Sequence, residues 1–154
     1  MNPAPLHPLL IHYPIALLPL AWLADLLATL FRRDGLRTTG LFLFIVGTLG
    51  AGGAWWTGRV RAAEGAEMLE FTGQLEQVVA RHQTLATVSS ISAGVLLLWR
   101  IGRHGKMAGK ELTVYLIAAL ILSGLVVTTA YFGGWITHGA PLLEELGVLS
   151  PAAQ

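Results

Sequence analysis

Residues 113–135 read TVYLIAALILSGLVVTTAYFGGW and contain no Asp, Glu, Lys or Arg. As an α-helix rising about 1.5 Å per residue, this stretch reaches about 34 Å, which crosses a hydrocarbon core of about 30 Å with some tilt. It predicts a transmembrane helix. The other apolar stretches are therefore expected to share a bilayer with it.

The composition is typical of a membrane protein. Of the 154 residues, 12% are charged and 54% are hydrophobic, and the mean hydropathy is +0.62. A soluble domain carries about 25% charged residues, so this chain lacks the polar surface that keeps a protein dispersed in water. The net charge of +1, with scattered basic residues, indicates no nucleic-acid partner. The absence of cysteine excludes disulfides, iron–sulfur clusters, thiolate zinc sites and covalent c-type haem.

Three further apolar stretches precede residues 113–135 and predict three more crossings. The second has only about 17 residues and several glycines, but without it the following stretch would run in the wrong direction. We therefore predict an all-α membrane protein, an antiparallel four-helix transmembrane bundle formed by a single domain over residues 1–154. Its spans lie at about residues 9–31, 40–56, 79–99 and 113–135.

The distribution of basic residues predicts the orientation. Seven of the ten fall in the loops after the first and third spans. They are Arg32, Arg33, Arg37, Arg100, Arg103, Lys106 and Lys110. By the positive-inside rule these loops face the cytoplasm, which places both termini on the periplasmic or outer side of a bacterial inner (plasma) membrane. The N-terminus has no basic residue, so the first span is expected to be retained and not cleaved as a signal peptide.

The histidines are the main candidate site residues. In the predicted topology, four of the five lie on the outer side, namely His7, His12, His82 and His138, and only His104 lies in a cytoplasmic loop. Neutral imidazole is a good metal ligand, and here three helices each deliver one to the same side. His7 and His12 are separated by about 140° on a continuous helix and cannot both face one ion. We favour His12 as the ligand because it lies deeper. His7 is expected to be a second ligand, a supporting donor or an interfacial residue.

Small residues follow these histidines along the same helix faces. They are Gly134 and Ala130 for His138, Ala86, Ser89, Ser90 and Ala93 for His82, and Ala16 for His12. The second span adds Gly47, Gly50, Gly52 and Gly53. Such faces leave room for a flat macrocycle between helices, and they equally serve close packing of membrane helices. Pro14 removes the amide that would bond Leu10, so the first span is expected to be kinked or to begin at Pro14.

Both ends of the chain carry recognisable motifs. Residues 7–18 read HPLLIHYPIALL, and residues 133–139 read GGWITHG. This pairing resembles the small bacterial membrane proteins catalogued as domain of unknown function 2231, and His82 matches a looser internal position. The resemblance covers the four-span length and implies a four-helix membrane domain. Relatives are sometimes joined to cytochrome c domains, which implies an electron-transfer setting without naming a substrate.

We therefore expect a haem b electron-transfer protein or subunit, with two axial histidines among His7, His12, His82 and His138, that exchanges electrons at the outer face with quinol or a cytochrome c. It is expected to be a subunit or homo-oligomer more than a stand-alone enzyme, since hydrolytic and nucleotide-binding motifs are missing. One alternative is a copper or zinc ion held by His12, His82 and His138, completed by Glu67, Met68 or Glu70. The other is a cofactor-free accessory subunit of a larger membrane complex.

Two other features have functional interpretations. Asp25 lies inside the first span, where an ionisable group suggests proton uptake or pairing with a basic partner; alternatively, water and the nearby Arg32 or Arg33 relieve its cost. The outer segment 58–78 carries four glutamates between apolar residues and predicts a short amphipathic helix lying over the site. Arg59, Arg61 and Arg81 are candidates to balance haem propionates.

Overall fold

The chain folds into a bundle of four long helices. The computed structural model describes residues 6–67, 74–103 and 106–136, and the side chains of residues 64–67 and 74–75 lie outside the description. Its helices are α1 (His7–Leu10), α2 (His12–Phe31), α3 (Asp34–Glu67), α4 (Gln74–Gly102) and α5 (Gly109–Gly134). Four stretches of these helices are long and apolar enough to cross a membrane: His7–Phe31, Asp34–Ala63, Glu76–Gly102 and Gly109–Gly134. The first three sequence-predicted spans begin and end inside these stretches, and the fourth, residues 113–135, ends one residue beyond Gly134.

The bundle closes as a ring, because α2 packs on α3, α3 on α4, α4 on α5, and α5 back on α2. Trp22 on α2 donates its indole N–H to the Leu116 carbonyl of α5 at 3.1 Å. Trp55 on α3 donates to the Thr87 hydroxyl of α4 at 2.9 Å. We call the end with the α2–α3 and α4–α5 connections the inner end, and the opposite end the outer end.

Small residues fill the interior and large apolar ones face outward. Ala21, Ala93 and Ala119 are at most 1% exposed, whereas Leu49 and Leu98 are at least 70% exposed. This is the reverse of a soluble core. In lipid, close helix approach and van der Waals packing, more than burial of bulky side chains, hold helices together. The exposed leucines are therefore the surface that contacts the acyl chains.

The first span is interrupted near its start. The backbone leaves regular helix at Ile11, between α1 and α2, although the Ile11 amide still bonds the His7 carbonyl at 3.1 Å. Pro14 supplies no amide to continue the ladder, and the next bond, from Ile15 to the Ile11 carbonyl, is long at 3.5 Å. The regular helix nevertheless begins before Pro14, at His12, so the expectation that it starts at Pro14 is wrong.

The outer segment 58–78 differs from the sequence prediction. We expected a separate amphipathic helix lying over the site. Instead α3 continues to Glu67 and α4 begins at Gln74, so the described part of the segment extends these two helices. Helix formation propagates cheaply once a long helix exists, which explains why these polar residues join their neighbours and do not start a new element. Met68, Leu69, Glu70 and Phe71 lie outside the described residues.

Candidate functional site

His7 is anchored to α3 at the outer end. Its Nδ1 lies 3.0 Å from the Ala54 carbonyl oxygen and 3.2 Å from the Thr57 hydroxyl. The Thr57 hydroxyl itself donates to the Gly53 carbonyl at 2.9 Å, so it accepts from the histidine. A carbonyl oxygen can only accept, and Nδ1 therefore carries the proton. The unshared pair of the neutral ring is then on Nε2.

His82 on α4 has the same arrangement with α5. Its Nδ1 lies 2.9 Å from the Thr129 carbonyl oxygen, which again places the proton on Nδ1 and the unshared pair on Nε2. The ring is half-buried. Histidines that ligate metals usually donate their other ring N–H to a carbonyl or carboxylate, which sets the tautomer and orients the ring. Both His7 and His82 meet that condition.

A glycine lies against each ring. A Cβ built on Gly58 would come within 2.8 Å of the His7 Cε1, and one on Gly133 within 3.1 Å of the His82 Cε1. Both distances are shorter than ordinary van der Waals contact, so a side chain at either glycine would displace the imidazole. The two rings are therefore held by a backbone hydrogen bond at one edge and by a glycine backbone beside Cε1. The His7 ring interacts electrostatically with His82 and with Arg61.

The other histidines have different surroundings. His12 is exposed, and its Nδ1 bonds the Pro8 carbonyl of its own segment at 2.6 Å. His7, not His12, is therefore the histidine of the first span that faces a neighbouring helix, although His12 lies deeper along the chain. His138 and His104 lie outside the described residues. Of the four predicted site residues, the structure thus brings His7 and His82 to one region and leaves His12 on the outside.

Gly47 and Gly50 of α3 do not form a free slot for a macrocycle. A Cβ on Gly47 would come within 3.0 Å of Leu18, and one on Gly50 within 2.5 Å of Tyr13. These glycines let α2 approach α3, which is the packing role considered at the sequence level. Below His82, Ser89 is buried with its hydroxyl 3.4 Å from that of Thr129, so this face is also occupied. The expectation of open faces beneath the histidines is wrong for these positions.

The described residues at the outer end offer one small cavity and one pair of donor histidines. A cavity of about 240 Å³ lies between α3 and α4, lined by Arg59, Ala62, Ala63 and Gln83. Within residues 6–67, 74–103 and 106–136, no group of three His, Cys, Asp or Glu side chains is placed to hold a metal ion. A three-histidine site would therefore need His138, and the described donor pair is His7 with His82.

A second polar cluster, the inner clasp, consists of Asp25, Arg100, Tyr115 and the Arg37 carbonyl. Arg100 and Asp25 form a two-pronged ion pair, with NH1–Oδ2 at 2.6 Å and NH2–Oδ1 at 2.7 Å. The Tyr115 hydroxyl donates to Asp25 Oδ2 at 2.9 Å and accepts from Arg100 at 3.1 Å. Arg100 also donates to the Arg37 carbonyl at 2.9 Å. One residue from each of α2, α3, α4 and α5 thus meets at one point.

The clasp confirms that Asp25 pairs with a basic partner, and it corrects the alternative in which Arg32 or Arg33 relieves its cost. Arg32 and Arg33, the basic residues near it in sequence, are exposed, whereas Arg100 is 8% exposed and lies against the rings of Phe44 and Tyr115. The physical reason is geometric. Arg32 is the left-handed residue that ends α2, and its side chain leaves the bundle, while Arg100 points inward at the depth of Asp25. A basic residue at the end of another span, at matching depth, was the sequence signal for this pairing.

A larger cavity, of about 400 Å³, adjoins the clasp at the inner end. Asp25, Arg100 and Tyr115 lie in its wall together with apolar residues from three helices and the α4–α5 connection, namely Leu41, Ile101, Met107 and Leu112. Asp34, Arg37, Thr29 and Thr38 complete the lining. The cavity is thus polar where the clasp lies and apolar elsewhere.

The family model described as predicted membrane protein (DUF2231) matches residues 3–140. The chain belongs to this family. The match includes both terminal motifs, the four spans, and His7, His12, His82 and His138. No curated protein and no solved structure shows a significant match to the chain. Membership supports a membrane protein that contacts the lipid bilayer, and it assigns no reaction.

Proposed function

We propose that this chain is a membrane haem b protein that takes part in electron transfer, with His7 and His82 as the two iron ligands at the outer end. One observation carries the proposal. Each imidazole donates Nδ1–H to a carbonyl of a neighbouring helix, which leaves Nε2 as the ligand nitrogen. Haem bound by two neutral imidazoles supplies one-electron chemistry without a thiolate, in agreement with a cysteine-free chain.

The residues around the pair fit such a group in chemistry. Thr57, buried to 1% exposure, and the Ala54 carbonyl hold the His7 ring, and the Thr129 carbonyl holds His82. Arg59, Arg61 and Arg81 are exposed at the same end and offer cations for carboxylates. His82 lies 18 residues from Arg100 along α4, about 27 Å at the rise of a helix. Electron exchange is therefore assigned to the outer end, with quinol or a cytochrome c as partner, in a homo-oligomer or with other membrane subunits.

The filled faces of Gly47 and Gly50 support a second candidate, a group smaller than a porphyrin. A copper or zinc ion bound by His7 and His82, with His138 as a third imidazole, is that candidate. It uses the same nitrogen atoms, so one set of variants tests both.

The absorption spectrum of the purified protein is the deciding experiment. Produced with haem supplied, the protein is expected to show a Soret band that shifts on reduction. His7→Ala and His82→Ala are each expected to lose most of that band, whereas His104→Ala, in the inner loop, and His12→Ala keep it. Imidazole added to His82→Gly is expected to restore absorbance, which separates loss of a ligand from loss of fold.

The other outcomes are also informative. If the protein contains copper or zinc and shows no Soret band, and if the metal is lost in the same two variants, the bound group is the metal ion and not haem. A Soret band that survives both His7→Ala and His82→Ala would overturn the assigned ligand pair, and His138→Ala would then identify a different one. A stable protein with neither haem nor metal would leave the accessory-subunit function.

The orientation is proposed with the same function. We place both termini and the outer end in the periplasm of a bacterial inner membrane, as the positive-inside rule predicts. The chain has no cysteine, so single cysteines report accessibility without background. A membrane-impermeant maleimide is expected to label Ala63→Cys in intact spheroplasts, and Lys110→Cys only after permeabilisation. The opposite pattern would reverse the topology.

A further inference from the structure

The cavity at the inner end adjoins a concentration of positive charge. The inner end of the bundle carries seven basic residues and three acidic ones, Asp25, Asp34 and Glu111, which gives a net charge of +4. Two of the acids are already paired, Asp25 with Arg100 and Glu111 with Arg103. The remaining positive charge includes Arg32, Arg33, Lys106 and Lys110, all of which are exposed.

Two of these cations are next in sequence to residues that line the cavity. Arg33 precedes Asp34, and Lys106 precedes Met107; Asp34 and Met107 both line the cavity. Arg37 lines it directly. These three residues come from the two inner connections and the start of α3. Each of the two inner connections therefore places a cationic residue next in sequence to a residue that lines the cavity.

The wall of this cavity suits an apolar acyl chain. Its apolar lining consists of Leu41, Ile101, Met107 and Leu112. Ile101 is 41% exposed, so the apolar wall continues to the exposed side surface of the bundle. Its volume of about 400 Å³ lies within the range of about 300–1,000 Å³ that small ligands occupy. A ligand that enters here meets hydrocarbon-like walls beside a cationic rim at the end of the membrane spans.

We infer that this cavity binds an anionic phospholipid, with its phosphate at the Arg33, Arg37 and Lys106 rim and part of an acyl chain against Leu41 and Ile101. Basic pockets between transmembrane helices at a membrane surface bind anionic headgroups through this combination of charge and apolar wall. The clasp contributes by neutralising Asp25, which would otherwise repel the phosphate from the cavity. This site is separate from the outer histidines.

The test uses the purified full chain, first for its lipid content and then after delipidation. Phospholipid extracted from the protein is expected to be enriched in anionic species. After delipidation, phosphatidylglycerol is expected to raise the thermal unfolding midpoint in a saturable way, whereas phosphatidylcholine and inorganic phosphate do not. Stabilisation by phosphatidylcholine, or equal stabilisation by inorganic phosphate, would overturn the proposal.

Matched variants separate the cavity from diffuse attraction to a charged surface. Arg33→Gln with Lys106→Gln is expected to weaken phosphatidylglycerol binding about 25-fold, or about fivefold per charge removed. Arg59→Gln with Arg61→Gln removes the same charge at the outer end and is expected to have no effect. Leu41→Trp, which fills the cavity, is expected to weaken binding with all charges retained. Equal losses in the two charge pairs would overturn the cavity site, and this comparison decides the matter even if Leu41→Trp does not fold.

Discussion

Arg100→Ala is expected to destabilise the bundle by about 3–5 kcal/mol, because it leaves the Asp25 carboxylate buried without its partner. Arg100 is 8% and Asp25 5% exposed, and the guanidinium contacts α2, α3 and α5 at once. Loss of this side chain therefore removes hydrogen bonds to three helices and leaves the buried Asp25 charge unpaired. The measurement is the free energy of unfolding in mixed detergent micelles, followed by circular dichroism.

The control for this prediction is an ion pair in the same chain. Arg103 and Glu111 approach to 2.6 Å, but Arg103 is 51% exposed, and Arg103→Ala is expected to change the free energy of unfolding by less than about 1 kcal/mol. Asp25→Leu combined with Arg100→Met is expected to recover most of the loss, because apolar replacements remove both desolvated charges. If Arg100→Ala cost no more than Arg103→Ala, the clasp would not stabilise the inner end.

The second large effect is expected at the contact between α2 and α3. Gly50 is buried, and a Cβ there would lie 2.5 Å from the Cβ of Tyr13 and 3.3 Å from the ring of Pro14. Neither atom is the end of a flexible side chain, so the two helices must separate to admit one. Gly50→Val is therefore expected to cost about 1–3 kcal/mol in the free energy of unfolding, the usual range for overpacking.

Gly52→Val is the matched control, two residues along the same helix. Gly52 is exposed and a Cβ built on it meets nothing within 4 Å. The same substitution there is expected to be neutral, or slightly stabilising because glycine is a poor helix former. The comparison uses the same unfolding assay. Equal effects at the two positions would mean that helix propensity, and not the close approach of α2 to α3, sets the result.

The histidines show how far sequence reasoning reached into the candidate site. The spacing of His7 and His12 correctly predicted that they cannot share one environment, because helix geometry separates them by about 140°. Depth alone favoured His12 as the inward residue. The structure places His12 outside and His7 against α3, since the break at Ile11 and the contact with Gly58 set which side of the segment faces the bundle. Neither effect is visible in the spacing.

Small residues were ambiguous for a similar reason. A run with Gly47 and Gly50 is compatible with a ligand slot or with a close helix contact, and the sequence pattern is the same in both cases. Only the position of Leu18 and Tyr13, side chains of a different helix, decides between them. The amphipathic pattern of segment 58–78 likewise does not reveal whether the residues form a new helix or extend an existing one.

The sequence by itself determined that this is a membrane protein with four crossing helices, because lipid burial depends on the apolar length of each segment and is a local property. Its motifs at the two ends also determined the family. Tertiary structure decided which groups meet. Asp25 pairs with Arg100, 75 positions away, and bonds Tyr115, 90 positions away, while the nearer Arg32 and Arg33 face outward. Such contacts depend on the rotation and depth of each helix against its neighbours, and those are set by packing across the whole bundle.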